Sequence, residues 1–153
     1  MTHKGLAHSL SALEFESRSV RQEAGVGTDK VVQGRLAQLL GRLTERRVER
    51  LLCRAGMRCI ARNWRCKGGE LDLVMQDGDT LVFVEVRRRS RSDRGSGAES
   101  LDLRKRRRLV LAAGRYLQQL REQPPCRFDL VAVDGREGRE ELRWIRAAFD
   151  VSD

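Results

Sequence analysis

The amino-acid sequence predicts a single α/β domain in which a mixed central β-sheet is flanked by helices. The chain has 153 residues, about the length at which one domain buries one hydrophobic core. Two alternating apolar runs, GGELDLVMQD and TLVFVEV, predict a β-hairpin. A helical pattern and a returning strand follow the hairpin, and this order favours a sheet with helices packed on it.

The residues before the hairpin divide into an extension, a helix and a strand. Residues 1–33 mix Ser, Gly, Glu and Arg without a sustained period, which predicts a poorly ordered extension and leaves residues 34–153 for the domain. From Val31 to Gly56, leucine and valine recur at helical spacing, which predicts a helix. The segment CIARNW at residues 59–64 predicts a short strand.

Two carboxylates, Asp72 and Glu85, lie within the apolar strands of the hairpin. They share a face of the sheet if the loop consists of residues 77–78 or 77–80. A three-residue loop separates them, because a register shift of one residue turns every side chain over. The four-residue loop places Asp72 directly opposite Glu85. Strand alternation also predicts three apolar side chains on the other face of the first strand: Leu71, Leu73 and Met75.

Two acids at cross-strand distance repel one another unless a cation or a shared proton relieves the repulsion. One interpretation is that both carboxylates face solvent or pair with nearby arginines. The other is a magnesium site, since Mg²⁺ takes oxygen ligands and needs only one or two carboxylates beside phosphate and water. Two neighbours favour the metal site: Arg87 projects from the same face as Glu85, and Glu45 on the predicted helix is expected to reach the same pocket.

The charge of the chain predicts a polyanionic partner. Lys and Arg number 31 against 22 Asp and Glu, for a formal net charge of +9, and nucleic acid is favoured over an anionic membrane surface. The predicted nucleic-acid-binding side chains are Arg88, Arg89, Arg91, Arg94, Arg104, Lys105, Arg106, Arg107 and Arg108. The alternative for these basic runs is a solvated surface or a partner for acids of the extension. Phosphate contacts carry no base information, so shape-selective binding is expected.

The second half of the chain completes the predicted fold. Residues 98–120 predict a helix that begins in the basic run and buries Leu109, Ala112, Ala113, Tyr116 and Leu120. Residues 127–133, RFDLVAV, predict a third strand that carries Asp129, whose role stays unassigned. The segment DGREGREE is expected to form a turn, and LRWI a last edge strand.

Cysteines, histidines and hydropathy exclude several classes of protein. The four cysteines form no CxxC pair and both histidines lie near the N-terminus, so the spacing of a zinc site is absent. No signal peptide is recognisable, and no apolar run approaches the roughly 20 residues of a membrane span. The expected compartment is the cytoplasm.

Several segments resemble the uncharacterised bacterial UPF0102 (YraN-like) family. They are GRLTE at residues 41–45, ARNWRCKGGELDLVMQDGDTLVFVEVRRRS at 61–90, KRRRL at 105–109 and CRFDLVAV at 126–133. The resemblance covers residues 34–150. That family is similar to archaeal Holliday junction resolvases and to the restriction-endonuclease-like fold, whose signature is PD-(D/E)xK. The resemblance therefore implies a restriction-endonuclease-like (PD-(D/E)xK) core.

The resemblance also implies roles for particular residues. Asp72 and Glu85 take the places of the two metal-binding acids, and the backbone carbonyl of Val86 would join them on the metal. Glu45 takes the place of the helical glutamate. Arg87 stands where the signature has lysine, and since a guanidinium keeps its proton it cannot act as a general base. The implied catalytic set is Glu45, Asp72, Glu85 and Arg87.

Three functions are compatible with these features. The first is a Mg²⁺- or Mn²⁺-dependent endonuclease that hydrolyses phosphodiester bonds in branched or structured DNA. The second is a module that binds DNA or RNA with the nuclease fold but without the chemistry. The third is a basic protein-interaction component. Because resolvases cut two strands symmetrically, the resemblance further implies a homodimer.

Overall fold

The fold is that of a computed structural model, which describes residues 26–88, 101–136 and 139–151. In chain order the elements are α1 (Val26–Arg54), β1 (Arg58–Cys66), β2 (Gly69–Asp77), β3 (Thr80–Arg88), α2 (Leu103–Leu117), β4 (Cys126–Arg136) and β5 (Arg139–Phe149). The five strands form one sheet in the order of the chain. All neighbours are antiparallel except β3 and β4, which are parallel and joined through α2. The predicted α/β class with a mixed sheet is confirmed.

The hydrophobic core lies on both faces of this sheet. On one face, Val48 and Leu52 of α1 pack against β2, β3 and β4. On the other face, α2 buries Leu109, Ala112 and Tyr116 against the same central strands. Because β2 and β3 are covered on both sides, their sequences are nearly continuous apolar runs, and a carboxylate within them is conspicuous.

The hairpin has the register that the four-residue-loop alternative predicts. Gln76 pairs with Leu81, and the pairing continues one step further to Asp77 and Thr80, so the loop itself is Gly78 and Asp79. Gly78 has a φ of +58°, which suits a two-residue hairpin turn with glycine at its first central position. In this register the side chains of Asp72 and Glu85 project from one face of the sheet.

The predicted alternation of β2 is wrong at Leu71. Leu73 and Met75 pack on the α1 face, as expected, whereas Leu71 packs on the α2 face. The partner strand explains the change: Asn63 has a left-handed φ of 49° and lies between the partners of Leu73 and Leu71 in β1. The left-handed backbone of Asn63 thus coincides with the change of face between Leu73 and Leu71, next to Asp72.

Helix α2 is shorter than predicted. It begins at Leu103, because the Asp102 side chain accepts a hydrogen bond from the Lys105 N–H at 2.7 Å and caps the helix there. Residues 98–100 of the predicted helix lie outside the described residues. The helix ends at Leu117, so Leu120 follows it and is 37% exposed, contrary to prediction. The other side chains predicted to be buried are buried: Leu109, Ala112, Ala113 and Tyr116.

The bounds of three other predicted elements also differ from those in the structure. Helix α1 begins at Val26 rather than Val31, and residues 1–25 of the predicted extension lie outside the described residues. Strand β1 exceeds the expected residues 59–64. Most of DGREGREE, expected as a turn, pairs within β4 and β5, while β5 is an edge strand as predicted. Neither described helix has the long apolar stretch that crossing a bilayer requires.

Candidate metal and nucleic-acid site

The carboxyl groups of Asp72 and Glu85 meet on the face of the sheet that α2 covers. Strands β2 and β3 bring them together, since they follow the paired residues Leu73 and Val84 in the ladder. Asp72 Oδ2 accepts a hydrogen bond from the Val86 N–H at 2.9 Å. The two carboxyls themselves lie within hydrogen-bonding reach of each other. The acids thus form a close pair rather than two separate surface charges.

Burial dominates the electrostatics of this pair. The Glu85 side chain is 9% exposed, and its burial, reinforced by the charge of Asp72, raises its pKa to about 7 although Lys105 opposes the shift. Burial also raises the pKa of Asp72, against the hydrogen bond from Val86. Two carboxyls in such surroundings share a proton near neutral pH or require a cation.

One oxygen of the pair lacks a donor. Glu85 Oε2 is buried and has no hydrogen-bond donor among the described residues. A hydrogen bond from Asp72 exists only while one carboxyl is protonated, so the ionised pair leaves this oxygen unsatisfied. An unsatisfied, buried carboxylate oxygen is a position at which a cation is stabilising.

Lys105 supplies a positive charge to the same pair. Its Nζ lies 2.9 Å from Glu85 Oε1, and its side chain is 30% exposed. Lys105 lies in the first turn of α2, four residues before the buried Leu109. It therefore lies on the inward-facing side of the helix. The sequence prediction counted Lys105 only among the residues that contact phosphate.

Glu45 lies on α1, which packs on the face of the sheet opposite to the one that carries the acid pair. Its Oε2 accepts a hydrogen bond from Asn63 Nδ2 at 2.8 Å. Partial burial raises the pKa of Glu45, the Asn63 hydrogen bond opposes this shift, and the charges of Asp72 and Glu70 add to it. Within the ranges that the structure describes, no group of three or more Asp, Glu, His or Cys is arranged to hold a metal ion. The pocket that Glu45 lines with Asn63 and Leu73 does not include Asp72 or Glu85, so the expected shared pocket is not seen.

The carboxylate oxygens of Asp72 and Glu85 nevertheless suit Mg²⁺ as ligands. Mg²⁺ keeps several waters and is commonly held by one or two carboxylates with substrate phosphate, so Asp72 and Glu85 suffice as protein side chains. Glu85 Oε2, which has no hydrogen-bond partner among the described residues, is available as a ligand for such an ion. Val86 lies in register with Val131 of β4, and its N–H orients the Asp72 carboxylate. The role of the Val86 carbonyl on a metal stays a prediction.

Arg87 follows on the same strand. It is half-buried, in register with Ala132 of β4, and projects from the same face as Glu85 because two residues separate equivalent positions of a strand. The position implied for the signature lysine is therefore on the face that carries the acids.

The cations of α2 do not form one uniform surface. Arg104, Arg107 and Arg108 are exposed. Arg106 instead packs inward: its Nε donates to the Leu101 carbonyl at 3.0 Å, and its guanidinium lies 5.5 Å from the centroid of the Phe149 ring. Within the basic run of residues 104–108, the exposed arginines available to a phosphate backbone are thus these three, called here the α2 arginine surface.

The second predicted basic segment is only partly described. Arg88 Nη2 pairs with Glu140 Oε1 at 3.1 Å, and Arg47 of α1 pairs with the same carboxylate, so Glu140 of β5 links β3 and α1. The other members of this segment lie outside the described residues: Arg89, Arg91 and Arg94.

Asp129, which the sequence left unassigned, stabilises the far side of the sheet. Its carboxylate is fully buried and accepts hydrogen bonds from Arg127 Nε, Trp144 Nε1 and the Ala147 N–H, each at 3.0 Å. Ala147 has a positive φ of 47° at an irregularity in the β4–β5 ladder. Arg127 also reaches Asp77 at 2.7 Å. Asp129 therefore holds a bulge on the α1 face and takes no part in the acid pair.

Two contacts at the site were missed from the sequence. Asn63 is the signal for the first, because asparagine tolerates a left-handed backbone better than most residues, and its φ is 49°. Helical spacing is the signal for the second. Lys105 precedes Leu109, Ala112 and Tyr116 by four, seven and eleven residues, which places it on the buried stripe of α2.

Known proteins resemble the chain over most of this fold. The model of the uncharacterised protein family UPF0102 matches residues 44–133, a range that contains the acid pair, Glu45 and Lys105. A UPF0102 protein of Pseudomonas fluorescens is 51% identical over 117 residues, which cover 74% of this chain and 95% of that protein. One of Ectopseudomonas mendocina is 53% identical over 113 residues, 72% and 94% of the two chains. One of Nitrosospira multiformis is 48% identical over 115 residues, 75% and 96%. The resemblance to the UPF0102 family that was predicted from the sequence is confirmed.

Proposed function

Since the chain belongs to the uncharacterised UPF0102 family and carries the buried Glu85 paired with Asp72 beside exposed cations, we propose that it binds nucleic acid and hydrolyses phosphodiester bonds as a Mg²⁺- or Mn²⁺-dependent endonuclease. The proposed substrate is branched or structured DNA. The observation that carries the proposal is the pair Asp72 and Glu85, which share one face of the sheet and leave Glu85 Oε2 without a donor. A metal ion satisfies this oxygen and relieves the repulsion between the acids.

The proposed fold is a restriction-endonuclease-like core. Its support is the placement of the candidate residues: Asp72 and Glu85 on the adjacent strands β2 and β3, and Glu45 on the helix that packs across them. A fold alone does not establish chemistry, so the proposal depends on the side chains.

Each candidate residue has a proposed part in the reaction. Asp72 and Glu85 would hold the ion with the Val86 carbonyl, and the Val86 N–H keeps the Asp72 carboxylate in place. When bound, Mg²⁺ supplies polarisation of the phosphoryl group and a lower pKa for a water nucleophile. Arg87 supplies positive charge toward the phosphate without transferring a proton. Glu45, oriented by Asn63, is the proposed third acid at the edge of the site.

Binding of the substrate is assigned to the basic surfaces. The α2 arginine surface borders the site, because Lys105 of the same helical turn contacts Glu85. Contacts of arginine with phosphate set affinity and orientation but read no bases, so the shape of the substrate is the proposed basis of selection. Cutting two opposed strands requires two sites, and a homodimer is the proposed assembly. The proposed compartment is the cytoplasm, for which the four free cysteines are the support.

A second candidate function is a nucleic-acid-binding module without catalysis. The observation that favours it is the ion pair between Lys105 and Glu85, which neutralises one acid without any metal. The arginine at the signature lysine position points the same way, since it is not a base.

The test of the proposal compares three acid-to-amide variants of the full chain. Asp72→Asn and Glu85→Gln remove the acids, and Asp79→Asn, in the exposed turn of the same hairpin, is the matched control. Four-way junction, flap, duplex and RNA substrates are incubated with Mg²⁺ or Mn²⁺. We expect metal-dependent cleavage by the wild type and the control, and a loss of about 100-fold or more in the two site variants.

The outcomes separate the candidate functions. Cleavage that survives in both Asp72→Asn and Glu85→Gln contradicts the proposed active site. Tight binding of the wild type to these substrates without cleavage in either metal favours the module. The absence of both binding and cleavage favours a protein-interaction component. Melting temperatures of all variants establish that each one is folded.

A further inference from the structure

Lys105 is the side chain of α2 that reaches the acid pair. Its backbone is fixed at the start of the helix, since its N–H donates to Asp102 Oδ1 at 2.7 Å and the Arg106 N–H donates to the Asp102 carbonyl at 3.0 Å. The helix in turn is packed closely on β2, where a Cβ added to Gly69 would lie 2.5 Å from the Arg108 carbonyl oxygen. The backbone position from which the Lys105 side chain extends toward Glu85 is therefore set by the fold.

The contact of Lys105 is specific to the candidate site. Its Nζ lies 2.9 Å from Oε1 of a carboxylate that is 9% exposed. The neighbouring Arg104 and Arg107 are exposed, and Arg106 lies over the ring of Phe149. Of the basic run on α2, Lys105 alone is shown in an ion pair with Glu85.

This inference rests on the endonuclease function proposed above. We propose that Lys105 is a catalytic residue that contacts the reacting phosphate. It supplies from α2 the cationic side chain that the nuclease signature places two residues after its second acid. An ammonium has three donors. One of them serves Glu85 Oε1, and a phosphate held at the acid pair lies next to the others. The four-carbon stem lets the charge follow a phosphate oxygen, whereas the wider guanidinium of Arg87 extends from the central strand β3.

The chemical role of Lys105 is electrostatic. In hydrolysis a bond forms between a water oxygen and phosphorus, the bond from phosphorus to the leaving sugar oxygen breaks, and the water proton is passed to solvent or to the leaving oxygen. Lys105 stays protonated throughout and neutralises the charge that gathers on the non-bridging phosphate oxygens. No proton or electron of Lys105 is consumed.

The same geometry has a consequence for metal binding. The ammonium contacts Glu85 Oε1 at 2.9 Å. A divalent ion that approaches the acids is repelled by this charge and competes with it. Removal of the ammonium should therefore leave the affinity for Mn²⁺ unchanged or increase it, while cleavage is lost. A purely structural lysine would weaken metal binding and cleavage together.

The experiment compares Lys105→Met with Arg104→Met in the full-length protein. Both variants remove one positive charge from the first turn of α2, but Arg104 is exposed. Three quantities are measured: the turnover of a four-way DNA junction in Mn²⁺, the Kd for that DNA in EDTA, and the Kd for Mn²⁺ alone by calorimetry. For Lys105→Met we expect a loss in turnover of about 10² to 10³-fold, a DNA Kd equal to that of Arg104→Met, and Mn²⁺ binding no weaker than in the wild type.

Each outcome decides a particular claim. Turnover that falls no further in Lys105→Met than in Arg104→Met overturns the proposal for Lys105 and leaves the endonuclease standing. Weaker Mn²⁺ binding in Lys105→Met also overturns it, in favour of a structural role. A wild type that cleaves nothing overturns the endonuclease and the role of Lys105 together. If Lys105→Met does not fold, Lys105→Gln keeps a donor for Glu85 Oε1 without the charge and is held to the same expectations.

Discussion

At the scale of single residues, Glu85 is a side chain whose burial opposes folding when it is ionised. A buried carboxylate destabilises the folded state when it is ionised, and a second acid at hydrogen-bonding distance adds to the cost. The Lys105 ammonium offsets only part of this cost, since burial and Asp72 still raise the pKa of Glu85 to about 7. A residue retained against its own stability cost is typical of a functional site.

The stability of the metal-free protein should therefore depend on the protonation of Glu85. The folded pKa of about 7 exceeds the ordinary value of 4.5, so the folded state binds more protons than the unfolded state between these values. The stability that Glu85 contributes is present below pH 4.5 and is lost as the pH rises through 7. Glu85→Gln should match the wild type near pH 4.5 and exceed its free energy of unfolding at pH 8 by on the order of 2 to 3 kcal/mol.

Urea denaturation in EDTA at a series of pH values measures this difference. Glu122→Gln, at an exposed position, is the control and should show a constant difference from the wild type. A free-energy difference for Glu85→Gln that does not change between pH 4.5 and pH 8 contradicts the prediction.

At the scale of secondary structure, the close approach of α2 to β2 determines the geometry of the site. Gly69 opens β2 directly after the β1–β2 turn, and α2 passes so near it that the Arg108 carbonyl oxygen occupies the space of a Cβ. Ala112 and Ala113 leave room for the same approach on the side of the helix. Small side chains on both elements thus bring Lys105 within reach of Glu85.

Substitution of Gly69 tests this close packing. In Gly69→Ala the new methyl group meets the Arg108 carbonyl at 2.5 Å and Ala112 Cβ at 3.1 Å. We expect the free energy of unfolding to fall by about 1 to 3 kcal/mol, as in other overpacked cores. Gly114→Ala is the matched control, since no atom lies within 4 Å of its Cβ and alanine favours the helix by up to about 1 kcal/mol.

Denaturation of the two alanine variants by urea measures both changes. The signs are expected to be opposite, with Gly69→Ala destabilised and Gly114→Ala equal to or more stable than the wild type. Gly69→Ala with the stability of the wild type would show that α2 moves away from β2 without cost.

The sequence predicted the elements better than their contacts. Alternation and helical spacing are local properties, so the hairpin, both helices and the returning strand were predicted from the sequence. The same patterns limited the pairing register of β2 and β3 to a few alternatives. The break at Leu71 was missed because it depends on the left-handed Asn63 of the partner strand. The contact between Lys105 and Glu85 was missed because it joins residues of different elements, which only the packing of α2 brings together.

At the scale of the whole molecule, the basic side chains differ in whether they pair with carboxylates of the same chain. The formal net charge is +9, yet several cations are engaged within the protein: Arg62 with Glu49, Arg88 with Glu140, Lys105 with Glu85 and Arg127 with Asp129. The net charge alone therefore does not locate the basic surface, because it does not say which cations pair with carboxylates of the chain. The charge that attracts a polyanion is the exposed part, to which the α2 arginine surface belongs.

Salt titration of nucleic-acid binding measures how much of this surface touches phosphate. Each neutralised phosphate adds a slope of about −0.9 to log affinity against log salt for duplex DNA. Replacement of Arg104, Arg107 and Arg108 by glutamine should therefore make the slope less steep by up to about 2.7, roughly 0.9 for each phosphate that the variant leaves unneutralised. Arg121→Gln, an exposed arginine after the end of α2, is the matched control and should leave the slope of the wild type nearly unchanged. If the triple variant has the slope of the wild type, α2 is not part of the nucleic-acid interface. If the affinity of the wild type does not vary with salt, this protein does not recognise phosphate.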